Sequence, residues 1–157
     1  MYNHKPSDYT CPFCRIAEGT NTQRLPEVIY EDDQIMSFIS RDWWPNNPGH
    51  VLIVPKVYIE NIYDLPYHLS DRIYRFARCV ALALKAIHQC DGISTRQHNE
   101  PAGNQDVWHY HLHVFPRYTG DNLYREKKAE APYEERVRHA EKLRTYFEKH
   151  VPNIDNP

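Results

Sequence analysis

The chain has 157 residues, 41% of them hydrophobic, and a formal net charge of −2 with histidine counted as neutral. This length suits a single domain with a substantial core, and the balanced charge argues against bulk nucleic-acid or membrane binding. No apolar run reaches the roughly 18 residues of a membrane span, and the polar first ten residues lack a signal-peptide core. We therefore expect one soluble, cytoplasmic domain over residues 1–157.

The first motif in the chain is Cys11-Pro-Phe-Cys14. In a reducing compartment, these thiols and those of Cys79 and Cys90 are not expected to form disulfides. A lone C-x-x-C fits half of a metal site, a redox pair, or two thiols near a helix start. The redox interpretation lacks a βαβ pattern around the motif, and the metal interpretation needs two further ligands from elsewhere.

The next segments alternate between apolar runs and turn residues. Residues 28–30 and 34–40 predict a hairpin, and residues 41–49, which contain two prolines, predict a loop. The β-branched run over residues 50–56 predicts a buried central strand ended by a proline. In the loop, Trp43 and Trp44 beside Asp42 indicate either a pocket for a base and a sugar or ordinary packing of aromatic side chains.

Two long helices are expected. The first covers residues 66–89, with Asp64 or Ser70 as its cap and Asp91-Gly92 as its end. The second covers residues 132–150 and carries its own apolar stripe. A strand is predicted over residues 93–98. The sum is an α+β domain with one antiparallel sheet of about five strands and two main helices.

Two polar segments flank the second helix. Residues 119–131 predict a mobile loop, and residues 151–157 predict a frayed tail. Arg125, Lys127 and Lys128 in the loop either reach a polyphosphate leaving group or form a solvated charged face.

Three histidines alternate with apolar residues in Trp108-His-Tyr-His-Leu-His-Val-Phe-Pro-Arg117. Alternation is the strand period, so His109, His111 and His113 share one face, about 6.5–7 Å apart, while Tyr110, Leu112 and Val114 face the core. Imidazoles in this pattern suit a metal site with open coordination or a nucleophile that attacks phosphorus. The upstream amides of Asn99 and Gln105 favour the nucleophile, because they can steady phosphate oxygens.

These residues resemble the histidine-triad family, whose signature is His-x-His-x-His followed by two apolar residues. Pro48-Gly-His-Val-Leu-Ile-Val-Pro-Lys56, the amino-terminal Cys-x-Phe-Cys and the approach Asn99…Gln105-x-Val107 are also similar, so the core motifs span residues 10–118. The resemblance implies an α+β fold that pairs its sheets across a homodimer.

The resemblance also implies a nucleotide hydrolase or transferase that acts at an α-phosphate. His111 is then the nucleophile that carries a nucleotidyl intermediate, His113 contacts the phosphate and leaving group, and the His109 carbonyl orients the His111 ring. The implied substrate ligands are phosphate-binding Asn99 and Gln105, ribose-binding Asp42, base-lining Phe13 and Trp43, and His50 at the edge of the site. Substrates of this type are dinucleoside polyphosphates or nucleoside phosphoramidates.

Related C-x-x-C proteins bind zinc with both thiols, the first triad histidine and a histidine shortly after Pro-Lys. Here Cys11, Cys14 and His109 are candidate ligands, but the last position is Tyr58. Such a zinc is expected to be structural, and none is required for the chemistry. Two other functions stay open: a nucleotide-binding regulatory module with little turnover, and a zinc-dependent hydrolase that uses the three histidines as ligands.

Overall fold

The computed structural model describes residues 2–123 and 125–155, and all elements named here lie within them. The helices of this part of the chain are α1 (Pro12–Ala17), α2 (Tyr67–His88) and α3 (Tyr133–Lys149). The strands are β1 (Val28–Glu31), β2 (Ile35–Ile39), β3 (Asp42–Trp43), β4 (Val51–Pro55), β5 (Gly92–Arg96), β6 (Leu112–Arg117) and β7 (Ala129–Glu130).

The main sheet has five antiparallel strands in the order β1-β2-β4-β6-β5. This arrangement, with α2 and α3 as the main helices, confirms the predicted α+β architecture. Of the three interior strands, β2 and β4 are buried along their whole length, as their apolar sequences indicate. No helix of the described residues combines the length and apolar character that crossing a membrane requires.

Alternate residues of the central strands supply two cores on opposite faces of the sheet. Val51 and Ile53 of β4 pack in the larger core beneath α2 and α3. Leu52 and Val54 point the other way, into a smaller core with Phe13 and Ile16 of α1. The short helix α1 therefore sits on the face of the sheet opposite the two long helices, and this second face carries the cleft.

A second, two-stranded sheet joins β3 to β7, with Asp42 opposite Glu130 and Trp43 opposite Ala129. Both strands fall in segments that the sequence predicted as loops, so these two predictions are wrong at residues 42–43 and 129–130. Strands of two residues are too short to show a period. The pairing attaches the segment before α3 to the segment after β2.

The predicted ends of α2 also need correction. Its N-cap is Pro66, which offers no side-chain hydrogen bond, while Asp64 ends a preceding 3₁₀ turn and Ser70 lies inside the helix. The helix ends at His88, and its C-cap Gln89 has a left-handed φ of 50° and donates its backbone N–H to the Lys85 carbonyl. A non-glycine residue in this conformation carries little sequence signal, and Gly92 instead begins β5.

Candidate active site

A cleft of about 480 Å³ lies between α1 and the β3–β7 sheet. This volume is within the range of small-molecule sites. One end is apolar and includes Phe13, Ile16 and Leu52, whereas His111 and His113 line the wall beside it. The sequence-predicted residues Asp42 and His50 also line the cleft. The structure thus brings five predicted nucleotide-site residues to one cavity: Phe13, Asp42, His50, His111 and His113.

The histidine segment is only partly a strand. β6 begins at Leu112, so His109 and His111 precede it, while Tyr110, Leu112 and Val114 are buried in the larger core as predicted. Outside the strand ladder, the His109 carbonyl lies 2.6 Å from Nδ1 of His111. Since a carbonyl only accepts, this contact assigns the proton of His111 to Nδ1 and leaves a lone pair on Nε2.

The environment of His111 favours a neutral ring. Burial lowers the pKa of His111, while the hydrogen bond to the His109 carbonyl and the nearby Asp106 carboxylate act in the opposite direction. The ring is 2% exposed, and its Nε2 is 3.9 Å from Oδ1 of Asp106. Phe13 packs against it edge-on, with ring centroids 5.3 Å apart. An uncharged, oriented imidazole with a free nitrogen is the form that acts as a nucleophile.

His113 and His50 form a second buried pair. Nε2 of His50 lies 2.8 Å from Nδ1 of His113, and both rings stack on Phe115. Burial lowers the pKa of His50 to about 3 and that of His113 well below its usual range. His50 also approaches the Asp42 carbonyl through Nδ1 at 3.4 Å, so the chain of contacts assigns a lone pair to Nε2 of His113.

His109 faces away from the cleft and toward the amino-terminal thiols. Its Nδ1 lies 3.2 Å from Sγ of Cys11 and 3.5 Å from Sγ of Cys14, and its Nε2 contacts the Pro55 carbonyl at 2.9 Å. The three ligand atoms lie within 4.8 Å of one another. Burial raises the pKa of the Cys14 thiol to about 12 and lowers the pKa of His109 to about 4.

This donor set fits a zinc ion, because two sulfurs and one nitrogen converge as three of the four ligands of a tetrahedral site. The hydrogen bond between His109 and the Pro55 carbonyl is of the kind that typically orients a ligating imidazole. Tyr58, at the position where the family pattern places a histidine, instead packs its ring edge-on against His109 and donates its hydroxyl to Glu60.

The amides of Asn99 and Gln105, expected to bind phosphate, have other partners. The Gln105 side chain donates to the carbonyls of Glu60 and Val107 and accepts from the Glu100 amide. Asn99 accepts from the Ile62 amide and exchanges hydrogen bonds with Gln97. Both amides hold the loop before the histidines together, and neither lines the cleft, so their phosphate-binding roles stay predictions.

Trp43, predicted to line a base pocket, lies away from the cleft. Its side chain is 9% exposed, belongs to the larger core and packs edge-on against His139 of α3. Trp44 lines the cleft in its place. Trp43 ends β3 and Trp44 follows it directly. Because successive residues of a strand point to opposite faces, only one of the two side chains can face the cavity.

Sequence reasoning missed a buried ionic cluster at the far end of the cleft. Glu27 is fully buried, with its carboxylate 2.8 Å from Arg24 and 3.1 Å from Arg136. All three residues line the cavity. They come from the 3₁₀ turn before β1 and from α3, so only the tertiary structure brings them together. Sequence reasoning also missed Asp106, which directly follows Gln105 and lines the cleft. Its position just before the histidine segment was a signal that could have identified it.

The fold and the site together define an α+β domain with buried histidines lining a single cleft. Residues 21–120 match the family model of the HIT domain. The chain belongs to the HIT, or histidine-triad, family, which confirms the resemblance seen in the sequence.

Individual relatives agree with this assignment. The chain is 32% identical to the Bacillus subtilis protein named "Protein hit", over 69% of this chain and 71% of the relative. A Zn-bound histidine-triad family protein from Mycobacterium smegmatis superposes with a TM-score of 0.74 at 26% identity, covering 90% and 97% of the two chains. A Plasmodium falciparum diadenosine triphosphate hydrolase shares the fold, with a TM-score of 0.68 at 18% identity over 79% and 78%.

Proposed function

We propose that this protein is a nucleotidyl hydrolase or transferase that cleaves at an α-phosphate through a covalent nucleotidyl-His111 intermediate. The observation that carries the proposal is the 2.6 Å contact between Nδ1 of His111 and the His109 carbonyl. This contact leaves the Nε2 lone pair free, in a ring that burial keeps neutral and that lines the cleft. The substrates are dinucleoside polyphosphates or nucleoside phosphoramidates, as the family resemblance implies.

In the first step, Nε2 of His111 forms a bond to the α-phosphorus, and the bond from phosphorus to the leaving group breaks. The leaving group departs with that electron pair and takes a proton from solvent. In the second step, water forms a bond to phosphorus while the bond between phosphorus and Nε2 breaks. The unpartnered Nε2 of His113, which lines the same cleft, accepts the proton that water loses.

The geometry argues against a hydrolase that uses all three histidines on one metal. His109 directs its Nδ1 to the thiols, His111 directs its Nδ1 to a backbone carbonyl, and His113 directs its Nδ1 to His50. Within residues 2–123 and 125–155, the group of converging metal donors contains His109 but neither of the other two histidines. Cys11, Cys14 and His109 would instead hold a structural zinc, which would join α1 to the histidine segment.

The covalent intermediate gives a direct test. We expect brief incubation with adenosine 5′-phosphoramidate or diadenosine triphosphate, followed by denaturation at alkaline pH, to leave an adenylyl group on His111 that peptide mass spectrometry locates. H111A should lose turnover by at least about 10³-fold and keep its circular dichroism spectrum. H68A is the matched control, because His68 is exposed on α2, and should retain full activity.

The competing regulatory module has its own signature, since it predicts nucleotide binding without an adduct and without measurable turnover by the wild type. An adduct on a histidine other than His111, or turnover that survives in H111A, would overturn the assignment of the nucleophile.

A further inference from the structure

Lys128, from the segment before α3, contacts a carboxylate that lies next to His111. Nζ of Lys128 lies 2.7 Å from Oδ2 of Asp106 and 3.5 Å from Oδ2 of Asp42. The other oxygen of the Asp106 carboxylate is 3.9 Å from Nε2 of His111. All four residues line the cleft. The Asp106 carboxylate therefore lies between the Lys128 ammonium group and the proposed nucleophile, His111.

The backbone fixes the position of this lysine. The next two residues form β7, where Glu130 pairs with Asp42 of β3, and the amide of Ala131 donates to the Arg41 carbonyl at 2.9 Å. The side chains of Arg41 and Glu130 add an ion pair across the same two strands. Lys128 is therefore held at the mouth of the cleft by a pairing that begins one residue after it.

The other cations that line the cleft are engaged elsewhere. Arg24 and Arg136 contact the buried carboxylate of Glu27, and Arg41 pairs with Glu130. The side-chain amides of Asn99 and Gln105 already have hydrogen-bond partners within the protein, as described above. The Lys128 side chain is 41% exposed, against 15% for Arg24 and 7% for Arg136. Arg41 is exposed as well, but its ion pair is with Glu130, whereas Lys128 contacts Asp106 beside His111. The Lys128 ammonium group can therefore exchange one carboxylate partner for a phosphate without leaving the cleft.

We propose that Lys128 is the phosphate-binding residue of this cleft, and that an incoming nucleotide phosphate replaces Asp106 as its partner. This inference rests on the proposed function for the identity of the ligand. A phosphate near His111 lies close to the carboxylates of Asp106 and Asp42, and the Lys128 ammonium offsets their repulsion. Lys128 thereby takes the role that the loop amides were expected to play.

The test separates phosphate recognition from nucleoside recognition. We would measure the binding of AMP, GMP, adenosine and guanosine to wild type, K128M, K127M and D106N by NMR titration. K128M removes the charge-assisted hydrogen bond to phosphate, so it should weaken binding of the better nucleotide by about 10- to 100-fold. Binding of the matching nucleoside should change by less than about twofold, because it has no phosphate. K127M is the matched control, since Lys127 is an exposed neighbour, and should bind as the wild type does.

D106N distinguishes phosphate binding from a purely structural ion pair. If Lys128 serves only to pair with Asp106, D106N and K128M lose nucleotide affinity equally. We expect D106N to keep the preference for nucleotide over nucleoside, because Lys128 remains. Equal affinity of K128M and wild type for the nucleotide, or no preference of the wild type for nucleotide over nucleoside, would overturn the inference.

Failure of the proposed function looks different from failure of this inference. If no His111 adduct forms but K128M loses phosphate-dependent binding, the catalytic proposal fails and the role of Lys128 stands. If the adduct forms and K128M binds nucleotide normally, the reverse holds.

Discussion

Replacing Gln105 with alanine tests whether this amide supports the loop or binds phosphate. The side chain is 6% exposed and makes three hydrogen bonds to backbone groups, at 2.7 Å to Glu60, 3.1 Å to Val107 and 2.8 Å from Glu100. Each bond contributes about 0.5–1.5 kcal/mol net, and each buried backbone group left unsatisfied adds a penalty. We therefore expect Q105A to lose about 3 kcal/mol of unfolding free energy.

The assay combines stability with ligand affinity. Urea unfolding followed by tryptophan fluorescence gives the free energy of unfolding, and the expected loss corresponds to a melting temperature lower by about 6–12 °C for a chain of this size. Q34A is the matched control. Gln34 donates its backbone amide to the Asp32 carboxylate, and the alanine variant keeps that hydrogen bond. It should stay within about 0.5 kcal/mol of wild type.

The family resemblance predicts a different outcome for the same variant. If Gln105 binds phosphate, Q105A should fold with wild-type stability and bind AMP at least about tenfold more weakly. That result would refute the structural argument, because a side chain already used in three backbone contacts has little capacity for a ligand.

Three further predictions test other parts of the molecule. C11S and C14S should each lower the zinc content of protein purified with zinc from about one ion per chain, by elemental analysis, whereas C79S should not; equal zinc content in all three would exclude the thiol site. R136M should lose about 3 kcal/mol in urea unfolding, because Glu27 stays buried with one arginine fewer, and a loss below about 1 kcal/mol would contradict this. Hydrogen bonds from Arg117, the Tyr118 amide and Asn47 lower the pKa of Asp121, so its stabilisation is complete above the unfolded-state pKa of about 3.9 and declines as pH falls toward the folded-state pKa. D121N should therefore be less stable at pH 7 and lose less stability than wild type between about pH 4 and pH 2; parallel curves would refute the role of this carboxylate.

The sequence predicts those parts of the fold in which apolar residues recur at a regular spacing or form a continuous run. The alternation of Tyr110, Leu112 and Val114 and the continuous apolar run of β4 identify buried strands, and the stripe of Ile73, Phe76 and Val80 identifies a long helix. Each pattern is repeated over several residues, so local sequence and tertiary burial agree.

The parts that it does not predict depend on single contacts between distant segments. The β3–β7 pairing joins two-residue strands, and the ionic cluster around Glu27 unites a 3₁₀ turn with α3. For Asn99 and Gln105, the sequence places them near the site but does not show where their side chains point. A loop amide beside a functional segment serves equally well as a ligand or as a support for the loop.

The strand that carries the histidines begins only at Leu112, and this late start has a physical consequence for the site. Had the ladder between β4 and β6 continued to His109, a neighbouring backbone amide would occupy the carbonyl that now accepts from His111. Instead, pairing stops at Leu112 opposite Ile53, the Tyr110 amide bonds to the Ile59 carbonyl, and the His109 carbonyl turns to Nδ1 of His111. His109 therefore contacts the thiols through its ring and the proposed nucleophile, His111, through its carbonyl. Removal of the thiols should therefore affect catalysis less than removal of the His111 ring, since the carbonyl contact does not depend on the His109 side chain.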